Sequence, residues 1–359
     1  MPAHSAAFDE LWGCFRGTPP KRGEWTPLIA LANETLTTPA LIDLIDQCEQ
    51  DIPEDVCRYV RHIFDCNLRR NDRLADQLAE AVVAMNEEGV TPILFKGAAV
   101  LATSPRSRCG TRLMSDLDIL VPPDKAEAAR AAMAGLGYEM HFQAPVGSEN
   151  WYADMKRPQD VGMIDLHWGA PGPAYFYRAS GPVEKHCRSV SVGRGSAYIP
   201  TSTYQALMLI VHDQFQDYDY WTGAIDGRHL LELRDLTNLP EGIDWDQLAS
   251  FAPSKLARNA IESQLVALAA LLGVDVPARM RSRIIPRLQF GRRLAQARFP
   301  IMRWPLLATA ALDYANYRKA SKVERTQAAT APGRSWPLPR LGTMRFILRV
   351  AATDRPGKI

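Results

Sequence analysis

Ser115-Asp116-Leu117-Asp118-Ile119-Leu120-Val121 is the stretch on which the reading of this chain turns. Successive side chains of a strand point to opposite faces, so Leu117 and Ile119 enter a core while Asp116 and Asp118 share the other face. Pro122-Pro123 bounds the strand. Two adjacent carboxylates repel each other, and the pair costs energy unless a proton or a divalent cation neutralises it; Mg²⁺ takes oxygen ligands of this kind. A D-x-D pair by itself is also what a solvated strand end looks like.

The neighbouring segments add to it. Upstream, Gly89 and Thr91-Pro92 lead into the apolar run Ile93-Leu94-Phe95, which reads as a buried strand, and Lys96-Gly97 then opens a helix of small residues. Backbone N–H groups at a helix start, next to an ammonium, suit a phosphate. A loop rich in Ser, Arg and Gly carries Arg112 and ends at Ser115. Arg112 is either a triphosphate clamp or an ion-pair partner of the aspartates, and Ser115 either donates to phosphate or closes the loop. Downstream, Tyr138 to Phe142 reads as a strand, and Trp151 to Lys156 with Met163 to Trp168 as a hairpin. The latter arm holds Asp165 in the apolar setting Ile164-Asp165-Leu166-His167-Trp168, far enough from Asp118 for an intervening helix and a return strand. Three carboxylates on neighbouring strands can hold two metal ions for in-line attack on an α-phosphate. His167 shares the face of Asp165, either to orient that acid or as a core histidine.

With 359 residues, of which 47% are hydrophobic and 23% charged, the chain has the composition of a folded globular protein rather than a disordered or fibrous one. No apolar run approaches the roughly 20 residues that a membrane-spanning helix needs, and the expectation is a cytoplasmic protein with no transmembrane segment. The six cysteines form no C-x-x-C pair, which points away from a disulfide framework or a zinc ribbon. The net charge of +2 conceals an asymmetry: residues 276–359 carry +15 and the preceding residues −13. Either the two parts attract each other, or the basic part meets a polyanion such as nucleic acid or an anionic membrane surface.

Breakers such as Gly13, Gly17, Pro19, Pro20 and Gly23 predict an irregular lead-in over 1–27. Helical spacing follows over 28–90, a mixed α/β core over 91–200, helices again over 201–275, and a basic, mostly helical region over 276–359. The fold class expected is α+β, a small mixed sheet flanked by helical regions on both sides in sequence. Arg228 and Asp235, two turns apart on one predicted helix, are expected in helix or interdomain ion pairs.

Leu94-Phe95-Lys96-Gly97, Arg112, the Ser115–Val121 strand, Gly135-Leu136-Gly137-Tyr138 and Ile164-Asp165-Leu166-His167-Trp168 together resemble a poorly characterised bacterial nucleotidyltransferase family of the DNA polymerase beta-like superfamily. The resemblance spans about residues 28–250 and is most specific over 93–168. It implies that Asp116 and Asp118 are the metal-binding pair and that Asp165 is the third catalytic acid, which binds metal and activates or aligns the attacking hydroxyl. It further implies that Lys96, Gly97, Arg112 and Ser115 bind nucleotide, with Mg²⁺ or Mn²⁺ as cofactor. The reaction implied moves a nucleoside monophosphate from an NTP to an acceptor, a small molecule, a peptide or RNA, and releases pyrophosphate. Lys96-Gly97-Ala98 departs from the Gly-Ser or Gly-Gly that the superfamily carries at this helix start, so a serine hydroxyl is not available to the phosphate here. Two other readings stand beside the enzyme: a non-catalytic nucleotide-binding accessory protein of a biosynthetic system, and a polyanion-binding protein that uses residues 276–359.

Overall fold

The computed structural model describes residues 2–21, 23–145, 152–307, 309, 314, 357 and 358. The chain enters through a helix rather than an irregular segment. Helix α1 (Pro2–Phe15) buries Phe8, Leu11, Trp12 and Phe15 at three- and four-residue spacing. That face outweighs Gly13, and the breakers after it only end the helix. Helices α2 (Trp25–Glu34), α3 (Ile42–Cys48) and the 34-residue α4 (Glu54–Glu87) follow.

Next come strand β1 (Ile93–Leu94), helices α5 (Lys96–Thr103) and α6 (Arg106–Cys109), strand β2 (Asp116–Leu120), helix α7 (Ala126–Gly135), and strands β3 (Glu139–Gln143), β4 (Tyr152–Lys156) and β5 (Met163–His167). A further hairpin, β6 (Cys187–Val192) and β7 (Gly195–Pro200), completes a seven-stranded mixed sheet of order β3-β4-β5-β2-β1-β7-β6. β2 runs parallel to β5 and antiparallel to β1, while β1 is parallel to β7. The α+β class expected from the sequence is the one observed.

Helices α8 (Ser202–Val211), α9 (Asp219–Thr222), α10 (Gly227–Thr237), α11 (Trp245–Ser250), α12 (Lys255–Leu272), α13 (Ala278–Arg281) and α14 (Ile284–Arg298) form the helical part, with a π-helical turn over His212–Gln216. The described residues form two cores. One joins α1–α3 to α8, α10 and α12; the other lies between the sheet and the helices α4, α5 and α7. Among the described residues, four of the eight basic residues of 276–307 form ion pairs within the chain: Arg279 with Asp246, Arg283 with Glu262, Arg293 with Asp213 and Arg298 with Asp9. Most of the remaining basic region lies outside the described residues. Arg228 and Asp235 do not pair with each other, but with their chain neighbours Asp226 and Arg234.

Helix α4 carries a polar stripe at helical spacing that faces inward. Asn67 donates to the carbonyls of Gly110 and Arg112 at 2.8 Å, and the fully buried Asn71 donates to Cys109 (2.7 Å) and Arg112 (2.9 Å). Arg70 reaches the carbonyls of Met114 and Val161, and Gln77 that of Gly162 at 2.9 Å. These carbonyls sit on the two segments that feed β2 and β5. Gly162 is required there, because a Cβ would lie 2.6 Å from Leu74 and 2.8 Å from the Ser115 carbonyl. Replacing Asn71 by Ala strands the Cys109 carbonyl and leaves that of Arg112 to Asn67 alone, so Asn71→Ala is expected to lose about 2 kcal/mol of stability in urea unfolding. A loss within error of zero would show that the stripe does not hold these segments.

Candidate functional site

The site is built on the register of β2 and β5. Asp118 lies opposite Asp165 across this parallel pair, and Asp154 of β4 lies opposite Asp165 from the other side. Three carboxylates therefore stand abreast on one sheet face, with neighbouring strands about 4.8 Å apart. Asp116 projects from the same face one pleat earlier on β2. Ligand atoms of Asp118, Asp165 and His167 lie within 4.8 Å of one another. Asp116 is not in that group; the structure places it on the same strand face but not in the tightest cluster.

The charge balance is uneven across the row. Asp118 is buried, and its Oδ1 accepts a 2.9 Å hydrogen bond from Lys96 Nζ. His167 Nε2 lies 3.4 Å from the same oxygen, a charge contact too long and off-axis for a well-formed hydrogen bond. Burial alone would raise the Asp118 carboxyl, but Lys96 and His167 outweigh it and hold it well below the usual carboxylate range. Asp165 has no such partner. Burial, then the charges of Asp116, Asp118 and Asp154, push it up to about 8. Asp116 is raised as well, by burial and by Asp118, against the pull of Lys96 and a hydrogen bond from Ser115. The Oδ1 atoms of Asp154 and Asp165 are buried without a hydrogen-bond partner. An unsatisfied carboxylate oxygen on Asp165, grouped with ligand atoms of Asp118 and His167, fits a divalent cation.

Lys96 reaches Asp118 from the first position of α5, with a left-handed backbone (φ 48°) that is uncommon for a residue with a side chain. Gly97 owes its identity to packing: a Cβ there would sit 2.6 Å from Met114 Sδ and 2.8 Å from Arg112 Nη1. Arg112 is engaged elsewhere. Its Nε and Nη2 both approach Glu232 Oε2 of α10 at 2.9 Å, and both side chains are largely buried. This pair forms part of the wall of a cavity of about 710 Å³ between α5, α6, α8 and α10, which Val100, Arg188, Arg228 and Leu231 also line.

Sequence reading did not find Asp154, whose β4 neighbours carry no motif. It also missed the aromatic neighbours of His167. Phe95 packs edge-on at 5.3 Å, Tyr152 stacks at 6.0 Å, and the exposed Phe142 lies beside Tyr152 at 5.2 Å. A second buried charge cluster was likewise not legible: Asp213, Asp226 and His229, met by Arg293 and by Lys358, whose Nζ lies 2.8 Å from Asp217 and 2.5 Å from Asp219. His212 lies at its edge, largely but not fully covered. Desolvation first, then the charges of Lys96, His229 and Lys358, keep its imidazole neutral.

The state of Asp165 has a measurable sign. Its carboxyl takes up a proton more readily in the fold (about 8) than in the unfolded chain (about 4), so the folded state binds the extra proton between those values and loses stability as pH rises through that window. In EDTA, Asp165→Asn is expected to melt higher than the parent at pH 8, by roughly 2 °C or more, with the gap closing towards pH 4. Parallel melting profiles would show that Asp165 is not held in this way.

Comparison with known proteins agrees with this geometry. A family model described as uncharacterised nucleotidyltransferase matches residues 21–273. No curated protein and no solved structure matches the chain. Among the described residues, no helix is long and apolar enough to cross a membrane. The match takes in the whole acid row, Lys96 and the Arg112–Glu232 pair, and the chain belongs to the uncharacterised nucleotidyltransferase family.

Proposed function

We propose that this chain is a metal-dependent nucleotidyltransferase of the DNA polymerase beta-like kind, which moves a nucleoside monophosphate from an NTP to a hydroxyl acceptor. The single observation that carries the reading is the β2–β5 register, which sets Asp118 against Asp165 with Lys96 on the opposite flank of Asp118. Asp116, Asp118 and Asp165 are the proposed ligands of Mg²⁺ or Mn²⁺. When bound, the ion offsets the charge of the triphosphate and lowers the pKa of the acceptor hydroxyl.

The chain's own residues supply the rest. Lys96 and the first N–H groups of α5 face the triphosphate, and Ser115 lies just ahead of β2 to donate to it. Gly97 lets this helix start approach the loop closely, and Arg112 contributes positive charge beside the aspartates while tied to Glu232. The acceptor oxygen attacks the α-phosphorus, the bond to the β-phosphate bridging oxygen breaks, and pyrophosphate leaves with that electron pair. Asp165 takes or orients the proton of the acceptor, a role that suits a carboxyl with raised proton affinity. The acceptor is a small molecule, a peptide or an RNA end.

The test is calorimetry with α,β-methylene-ATP, which cannot release pyrophosphate. The parent is expected to bind it with Mg²⁺ and much more weakly in EDTA. Asp118→Asn and Asp165→Asn are expected to reduce the Mg²⁺-dependent affinity by about tenfold or more. Binding that ignores both Mg²⁺ and these substitutions would defeat the proposal, whereas metal-dependent binding with no turnover on any acceptor would identify the non-catalytic accessory protein.

A further inference from the structure

Lys96 places its charge in an unusual position for a residue assigned to a triphosphate. Its Nζ sits 2.9 Å from Asp118 Oδ1, and the two side chains are 14% and 7% exposed. No other hydrogen bond from this ammonium is found among the described residues, so two of its three donors are uncommitted. The left-handed backbone at Lys96 opens α5 directly behind β1 and beside β2. Asp118 is the most deeply buried acid of the row, and a buried carboxylate without a counter-charge is costly. Arg112 does not supply that charge by contact, since Glu232 holds it.

We infer that Lys96 is the resident counter-ion of the metal position, which neutralises Asp118 in the nucleotide-free protein and transfers its ammonium to the triphosphate when the metal–nucleotide complex arrives. The inference rests on the nucleotidyl-transfer reading and adds a regulatory property to the same site. A divalent ion that binds alone has to displace the ammonium and leave it, without a partner, beside a dication. A triphosphate removes that penalty by giving Lys96 new oxygens. Metal and nucleotide therefore favour each other, and by linkage the coupling is reciprocal. The enzyme does not hold a divalent ion in wait; it acquires the ion together with its substrate.

The experiment measures Mn²⁺ binding to nucleotide-free full-length protein by electron paramagnetic resonance of the free ion. Lys96→Met is expected to bind Mn²⁺ about tenfold more tightly than the parent, and Lys96→Met with Asp118→Asn to lose that gain. Equal affinity in parent and Lys96→Met overturns the inference. A mirror measurement covers the case in which Lys96→Met does not fold. In EDTA, Asp118→Asn releases Lys96 and is expected to bind metal-free α,β-methylene-ATP severalfold more tightly than Asp116→Asn, which removes a nearby charge but not the partner of Lys96. Equal affinities for these two variants also overturn it. Failure of the parent to bind the Mg²⁺–nucleotide complex would defeat the transfer reading instead, and the Mn²⁺ comparison without nucleotide tells the two failures apart.

Discussion

The site depends on backbone carbonyls fastened to one helix. Asn67, Arg70, Asn71 and Gln77 of α4 hold the segments that lead into β2 and β5, two strands separated in sequence by helix α7 and strands β3 and β4. A slip of one residue in either strand would turn its aspartates into the core and its leucines to solvent. Hydrophobic alternation resists that slip along each strand, but it does not fix where one strand starts relative to the other. The stripe on α4 does, because it grips the approach to each strand from a single rigid rod.

Once register is set, electrostatics follows. Four carboxylates on one face repel each other, and the fold compensates only one of them fully. Lys96 and His167 lie against Asp118, while Asp165 and Asp154 keep buried oxygens without partners. The imbalance gives neighbouring acids shifts of opposite direction, Asp118 held down and Asp165 pushed up. The fold thus carries an energetic cost at this face, offset by the apolar packing beneath it.

Much of this is legible in the sequence and the rest is not, for physical reasons. Asp116, Asp118 and Asp165 stand out because each interrupts an apolar strand with a period of two, and the β4–β5 hairpin and the helices after Pro200 follow from periodicity and breakers. Helix α1 is hidden by the glycines and prolines that end it, since its stability comes from Phe8, Leu11 and Trp12 packing on distant helices. The β6–β7 hairpin is short and polar on one face, so Val190, Val192, Ala197 and Ile199 give too little contrast. Asn67 and Asn71 look like a solvated helix face, and only the tertiary fold shows that they point inward. The sequence alone cannot choose between the two roles of Arg112, because its partner Glu232 lies in a helix of the other core.

That last contact has a mechanical side. The guanidinium of Arg112 is bolted to α10 of the helical part while its backbone belongs to the strap that leads into β2, so the two cores share a rivet next to the acid row. Any swing of the helical part away from the sheet has to shear a largely buried pair of opposite charges and expose both to a site where neither has another full partner. Relative motion of the two cores is thereby opposed at this seam, beside the row of acids.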